Sequence, residues 1–381
     1  MLQSFLDNKP LYYDKIDYTR MPRVYSTIKE RLHIPKIIHL IGTNGKGTTG
    51  RFLANALFSL GKKVGHYTSP HLLNFNERVW LNGEDVKDEH LNNAHLELLK
   101  LLSQEDADSL SYFEYTTLLA MYIYQDLEYV VLEAGLGGER DATAVFAKHL
   151  TLVTPIDIDH EAFLGSDIKS IAATKLNAIQ NVAIIATQKY EDIRVVCEKL
   201  VIEKGINVLD IDSLLAPKDR LKIEVISKEN DLTRYLQNNL SLSIAALNYL
   251  NLSYNVNNFH DSRLFGRLTQ YKSNILLDVG HNVLAARSIF ESLKGSKYTL
   301  VYNSYKDKNY QEILEILKPI ISDIEIIKIQ DERIEELDVL EAVVQSIGFD
   351  FKLFSNINRD KNYLIFGSFS VVEEFLKGEY E

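Results

Sequence analysis

Five segments of this sequence collect residue types that handle phosphate, metal ions or sugar hydroxyls. The clearest is GTNGKGTT, Gly42 to Thr49, set between a short apolar run and a helical pattern. A bound phosphate needs backbone N–H groups aimed inward, a positive charge, and a helix N-terminus behind it. Gly42, Gly45 and Gly47 permit a tight turn and close approach around Thr43 and Asn44. Lys46 supplies charge for the β- and γ-phosphates, and Thr48 or Thr49 a hydroxyl near a metal. Two residues separate Gly42 from Gly45, where the standard phosphate loop has four. The segment is therefore a variant of that loop, or an ordinary Gly-rich turn before a helix.

The other four segments also follow apolar runs. TSPHLLNFNER, Thr68 to Arg78, offers a hydroxyl, two imidazole or carboxylate candidates and an arginine. Alone it reads as a solvated loop. LEAGLGGERDAT, Leu132 to Thr143, places Glu133 at the end of a strand pattern. At the carboxyl edge of a parallel sheet such a group faces a ligand crevice and can take Mg²⁺; otherwise it caps the Gly-rich turn. TPIDIDHEAFLG brings His160, with Asp157 and Asp159, to a similar edge. Lys175, in a helical pattern fifteen residues on, reads from spacing as a surface lysine. Last, FGRL and ILLDVGHN carry Arg267, Asp278 and His281. Arginine there suits a phosphate and aspartate a ribose hydroxyl; the alternative is a helix capped by Asn282.

These groups need elements to hold them. KIIHLI (36–41), Val64–Thr68, YVVLE (129–133), HLTLVTPI (149–156) and VAIIAT (182–187) read as buried strands. Helical patterns over Lys46–Leu60 and Tyr115–Gln125 separate some of them. Strands alternating with helices predict a doubly wound parallel sheet. A second block follows, with strands at 275–279, 298–302, 324–329 and 363–367. The polar stretch 255–266 is placed as linker, and 207–232, charged and poorly patterned, as a small strand insertion or a loop. The expected domains are residues 1–262 and 263–381.

Composition bounds the function. Length favours two or three domains, and 46% hydrophobic with 25% charged residues suits a soluble globular chain. With 42 Lys+Arg against 53 Asp+Glu, the net charge of −11 disfavours nucleic acid as a partner. One cysteine, Cys197, excludes an internal disulfide and a thiolate metal cage, which suits a reducing cytoplasm. No apolar run is long enough to span a membrane, and no cleavable leader is expected. Against 1 Trp stand 21 Tyr and 16 Phe, whose purpose composition does not reveal.

The order of the motifs carries a resemblance. GTNGKGTT, TSPHL…ER, FEYTT, LEAGLGGERDAT, IDIDH and LDVGHN, with GSFSVVEEF near the C-terminus, resemble the folylpolyglutamate and dihydrofolate synthases of the Mur ligase superfamily. The resemblance implies an α/β protein: an N-terminal P-loop domain with a doubly wound parallel sheet, then a smaller Rossmann-like domain. It implies an ATP-dependent amide ligase that joins L-glutamate to 7,8-dihydropteroate through an acyl phosphate and adds further glutamates to reduced folates, the alternative being a folylpolyglutamate synthase without the dihydropteroate activity; a monomer is the default expectation. By motif position, Gly42 to Thr48 would wrap the ATP phosphates, and Asn239, Arg267, Asp278 and His281 would contact the nucleotide. Ser69, Glu133 and His160 match Mg²⁺ ligands, two metal sites being expected, and Lys175 a carbamylated lysine. Ile16, Asp17, Tyr18, Ser111, Tyr112, Phe113, Glu114, Arg140, Asp141 and Ala142 would build the pterin side. Ala144 stands where the family usually has Asn. A cell-wall Mur ligase needs a nucleotide-sugar domain before the phosphate loop, more than the forty residues found there. A kinase needs no second domain with these motifs.

Overall fold

The computed structural model describes residues 1–10, 17–260 and 262–378. It contains two compact units, Met1–Leu232 with Leu236–Ser262, and Arg263–Glu381 with Thr233–Tyr235.

In the first unit, β1 (Lys36–Ile41), β2 (Val64–Tyr67), β3 (Val79–Leu81), β4 (Glu84–Asp85), β5 (Tyr129–Glu133), β6 (Leu150–Val153), β7 (Val182–Ile185) and β8 (Asn207–Asp210) form one sheet. Its order is β4-β3-β2-β5-β1-β6-β7-β8. The pairs from β2 to β8 are parallel, while β3 and β4 close one edge antiparallel. Every residue of β5 and β6 is buried, which is why these strands read as continuous apolar runs rather than alternating ones. The chain leaves β1 toward β2 on one side and later returns to β6 on the other. That reversal opens a crevice at the carboxyl ends of β1, β5 and β6.

Expected and observed elements differ where local chemistry overrides the apolar pattern. The helix expected from Tyr115 spans Tyr112–Ile123. Ser111 and Glu114 form a reciprocal capping box, Glu114 N–H to Ser111 Oγ at 3.1 Å and Ser111 N–H to Glu114 Oε2 at 2.8 Å. The stretch 207–232 is β8 followed by helices Ile211–Leu214 and Pro217–Glu229, not a loop. Pro217 starts the longer helix, and a narrow stripe with Ile223 and Ile226 buries it, too thin for periodicity to reveal. In the stretch 255–266, Asn258 and Phe259 are buried, and Asn258 Nδ2 donates to Ser59 Oγ at 2.8 Å.

The second unit has β9 (Thr269–Lys272), β10 (Ile275–Asp278), β11 (Tyr298–Tyr302), β12 (Ile321–Ile326) and β13 (Tyr363–Phe366), ordered β12-β11-β13-β10-β9. Only β9 runs antiparallel. Strand β12 starts three residues before the expected 324, because Ile321 pairs with Tyr298 before a register irregularity.

Many aromatics are core. Tyr67, Tyr115, Tyr124, Tyr302, Tyr363, Phe52, Phe146, Phe259 and Phe366 are fully buried. Tyr124 donates to His66 O at 2.9 Å, and a Cβ at Gly65 would stand 2.6 Å from its ring. Gly65→Ala therefore overpacks this contact, and chemical denaturation is expected to show a loss of about 1–3 kcal/mol.

Candidate active site

The phosphate loop is built by two left-handed turns and a close packing. Gly42 has φ +139°, Gly45 φ +89°, and the helix Lys46–Ser59 starts directly behind them. A Cβ on Gly42 would lie 2.0 Å from Thr154 Oγ1, and one on Gly45 2.4 Å from Asn239 Oδ1. Glycine is the residue that satisfies both demands. Thr43 N–H donates to Pro155 O at 2.9 Å, and Thr43 Oγ1 lies 3.0 Å from both Asp157 N and Asp157 O. The loop is thus fastened to the end of β6, and the first-turn amides of the helix stay directed at an incoming anion.

Lys46 arches over this loop. Its Nζ donates to Gly42 O and Thr43 O, each at 3.3 Å, and stands 3.8 Å from Glu133 Oε1. Glu133 is buried at the end of β5 and accepts from Thr68 Oγ1. Ser69, half-buried, follows Thr68 directly. Three strand ends, β1, β2 and β5, therefore deliver cation, hydroxyls and carboxylate to one place. His160 sits on the loop after β6 with φ +55°, its Nε2 4.0 Å from Asp159 Oδ2. Asp157 Oδ1 accepts from Tyr190 OH at 2.8 Å, and Lys189 stands 3.6 Å from Oδ2.

Lys175 is not a surface residue. It is 4% exposed, and its Nζ donates to Gly42 O at 3.0 Å. Burial, then the nearby charge of Lys46, lowers its pKa from 10.5 to about 7. The helical pattern around it gave no hint of this, because the face it occupies packs beneath the phosphate loop.

Asn239, on the helix Arg234–Tyr249, is buried against Gly45, and Ser243 one turn on donates to Thr49 O at 2.8 Å. In the second unit, Asp278 is buried with both oxygens engaged. Gly280 N–H reaches Oδ1 at 2.8 Å, Leu268 N–H reaches Oδ2 at 2.8 Å, and Tyr235 OH donates to Oδ2 at 3.2 Å. Burial raises its pKa and the Arg267 guanidinium opposes the rise. Arg267 lies over the Phe369 ring at 5.3 Å, and His281 Nδ1 is 3.2 Å from Val279 O. Asn282 does cap its helix, accepting from Ala285 N at 2.9 Å.

Among the residues that the resemblance assigns to the pterin, Phe113 packs over Gly135, where a Cβ would be 2.6 Å from its ring, and Tyr112 meets Phe75 edge-on at 6.3 Å. Arg140 lies over Tyr18 at 5.0 Å. Ser111 and Glu114 are spent on the capping box, Glu114 also pairing with Arg20 at 2.7 Å. Asp141 accepts from Leu136 N at 2.9 Å and from Thr143 N at 2.9 Å, so its carboxylate holds its own loop. Ala142 is buried beside it. Asp17 accepts from Thr19 N and Oγ1 at 2.9 and 2.7 Å, and Ile16 lies outside the described residues.

Among the described residues no group of three or more His, Cys, Asp or Glu side chains forms a ready metal cage. The donors present suit Mg²⁺ nevertheless, since that ion takes one or two carboxylates and completes its shell with water and phosphate oxygens.

The same two-unit architecture recurs in solved structures. A Helicobacter pylori folylpolyglutamate synthetase is 37% identical, with a TM-score of 0.81 over 99% of this chain and 97% of that one. A Mycobacterium tuberculosis folylpolyglutamate synthase, 20% identical, shares the fold with a TM-score of 0.84 over 100% and 98%. No protein-family profile matches the chain. Fold and phosphate loop together define an ATP-dependent carboxylate–amine ligase. A Haemophilus influenzae dihydrofolate synthase/folylpolyglutamate synthase is 30% identical over 391 residues, covering 90% of this chain and 88% of the relative. The chain belongs to the dihydrofolate synthase/folylpolyglutamate synthase family.

Among the described residues Lys46 is the one cation held over the phosphate loop that also reaches Glu133. Lys46→Ala is expected to lower kcat by about 100-fold or more while leaving the unfolding midpoint within a few degrees. Phosphate release and thermal unfolding measure the two.

Proposed function

We propose that this chain joins L-glutamate to 7,8-dihydropteroate through an acyl phosphate and adds further glutamates to reduced folates. The observation that carries this reading is the meeting of Lys46, Glu133 and Thr68–Ser69 beside the aromatic wall of Tyr112 and Phe113. Tyr67 and Phe113, ring centroids 5.9 Å apart, link that wall to the end of β2, which Thr68 follows directly. The bifunctional name of the Haemophilus influenzae relative supports both activities.

A carboxylate is a poor electrophile until one oxygen becomes a leaving group. In the first step that oxygen attacks the γ-phosphorus and ADP departs. In the second, the glutamate amine attacks the carbonyl carbon, loses a proton, and phosphate departs. Lys46 and the loop amides offset charge on the transferring group. Ser69, Glu133 and His160 would hold Mg²⁺, at two sites, which supplies further neutralisation when bound. Asn239 places a buried amide beside the loop for the nucleotide, and the second unit carries nucleotide candidates of its own in Arg267, Asp278 and His281. Asp278 acts within that unit by holding the turns that flank the β9–β10 hairpin, through Leu268 N–H and Gly280 N–H. The site needs no membrane or nucleic acid, and a monomer in the cytoplasm suffices.

Lys175 suits carbamylation. Its neutral amine attacks CO₂, releases a proton and becomes an anionic oxygen ligand. With the pKa lowered to about 7, the reactive neutral form grows above that pH instead of near 10.5. The unfolded chain holds this proton between about pH 7 and 10.5 and the folded chain does not. The cost of burying Lys175 is therefore full below pH 7 and relieved as pH rises.

Two measurements test the proposal. Phosphate release should require ATP, dihydropteroate and glutamate together, and labelled glutamate should enter an amide product. Turnover without glutamate would refute the ligase, and turnover with tetrahydrofolate but not dihydropteroate would remove the first activity. For Lys175, bicarbonate is expected to raise activity from pH 6 to 8 and to add one carbamate by mass spectrometry; Lys175→Arg should lose both responses.

A further inference from the structure

The dipeptide Glu77–Arg78 carries opposite charges that do not meet. Glu77 is consumed by its own loop, its Oε2 accepting from Leu72 N at 2.6 Å and its Oε1 from Leu73 N and Asn74 N at 2.8 Å each. Arg78, 8% exposed, is left with no carboxylate partner among the described residues. Its Nε donates to His71 Nδ1 at 2.7 Å, and its guanidinium lies over the Tyr112 ring at 5.2 Å.

The other buried cations among the described residues are satisfied differently. Lys9 Nζ donates to Ala107 O at 2.6 Å and Leu110 O at 2.8 Å. Lys148 Nζ donates to Thr143 O at 2.6 Å and to Phe146 O. Lys175 Nζ donates to Gly42 O at 3.0 Å. Each therefore spends its donors on backbone carbonyls. For Arg78, neither terminal nitrogen has an acceptor among the described residues, although an unpaired buried charge is costly. Two parallel N–H donors in a fixed fork fit a carboxylate.

Position says which carboxylate. Arg78 O accepts from Thr68 N at 3.1 Å, one residue from Ser69, while its guanidinium rests on the ring that walls the aromatic site. A flat aryl acid lying on that wall would present its carboxylate to Arg78. We infer that Arg78 anchors the carboxylate of the pterin-bearing substrate, held in orientation by His71 and Tyr112. This rests on the ligase reading above and adds the residue that places the reacting acid. Each carboxylate oxygen keeps a second lone pair, so anchoring leaves one available for phosphoryl transfer. Arg78 is thus a substrate-anchoring residue, with His71 a positioning residue behind it.

The test compares the full-length wild type with Arg78→Gln and Arg78→Lys. In steady-state assays Arg78→Gln is expected to raise KM for dihydropteroate roughly 10- to 100-fold, the range for losing a charge-assisted hydrogen bond, with Arg78→Lys between it and wild type. KM for ATP should stay within about twofold, and thermal unfolding of Arg78→Lys reports whether the fold is kept. In a second arm, without ATP, calorimetry compares pteroate with its carboxamide. Wild type should prefer the acid by that same factor, and Arg78→Gln should bind the two alike. Equal preference in variant and wild type, or a rise in KM for glutamate alone, would overturn the assignment. A wild type that prefers the acid yet forms no amide would sink the ligase reading and leave the Arg78 anchor standing.

Discussion

The site depends on how tightly the first loop is pressed against the end of β6. Gly42 meets Thr154 at a distance no side chain could share, and Thr43 bonds to Pro155 and Asp157 through main chain and hydroxyl. That clamp fixes the loop carbonyls, and the carbonyls in turn fix two lysines. Lys46 and Lys175 both donate to Gly42 O, one from above the loop and one from the helix Ile168–Leu176. Because β1 lies between β5 and β6, the same clamp sets where Lys46 meets Glu133. A shift of the loop would move cation, carboxylate and buried amine together.

Two lysines near one loop, Lys175 buried and Lys46 half-buried, carry an electrostatic cost, and the structure shows how it is met. Lys175 lowers its pKa to about 7, so part of the population near neutrality carries no charge there. The lowered pKa is what a group needs if it is to react with an electrophile at neutral pH, so burial and reactivity have one cause. Lys148, buried behind the Asp141–Thr143 turn, is lowered to about 7 by the same desolvation. Its donors are fixed on Thr143 O at the end of that turn and on Phe146 O, and it braces the turn.

The parts legible in sequence were those whose signal is local. The phosphate loop, the strands around it and Glu133 follow from glycines, a lysine and apolar runs bounded by turns. Lys175 could not be read from periodicity, because burial of a lysine depends on which helix face packs under the loop. Ser111 and Glu114, which the resemblance assigns to the substrate, also have the S-x-x-E spacing of a capping signal, and that local cue predicts where the helix begins. Asp141 and Asp278 likewise organise loops with carboxylates that residue type alone would assign to a ligand. Arg78 was visible in its motif but indistinct, since only the structure shows that Glu77 beside it is already committed.

A chain of net charge −11 that binds several anions needs its positive potential concentrated, and this fold concentrates it by subtraction. Acidic groups near the site are committed to local donors: Glu77 to three loop amides, Asp141 to its turn, Glu114 to a helix N-terminus and Arg20. Each such carboxylate is neutralised where it stands and offers little repulsion to an arriving phosphate or aryl acid. What remains facing the ligands is Lys46, the helix amides and the fork of Arg78, in surroundings where burial strengthens every charge. Local hydrogen bonding of the acids, rather than an excess of bases, gives this acidic protein an anion site.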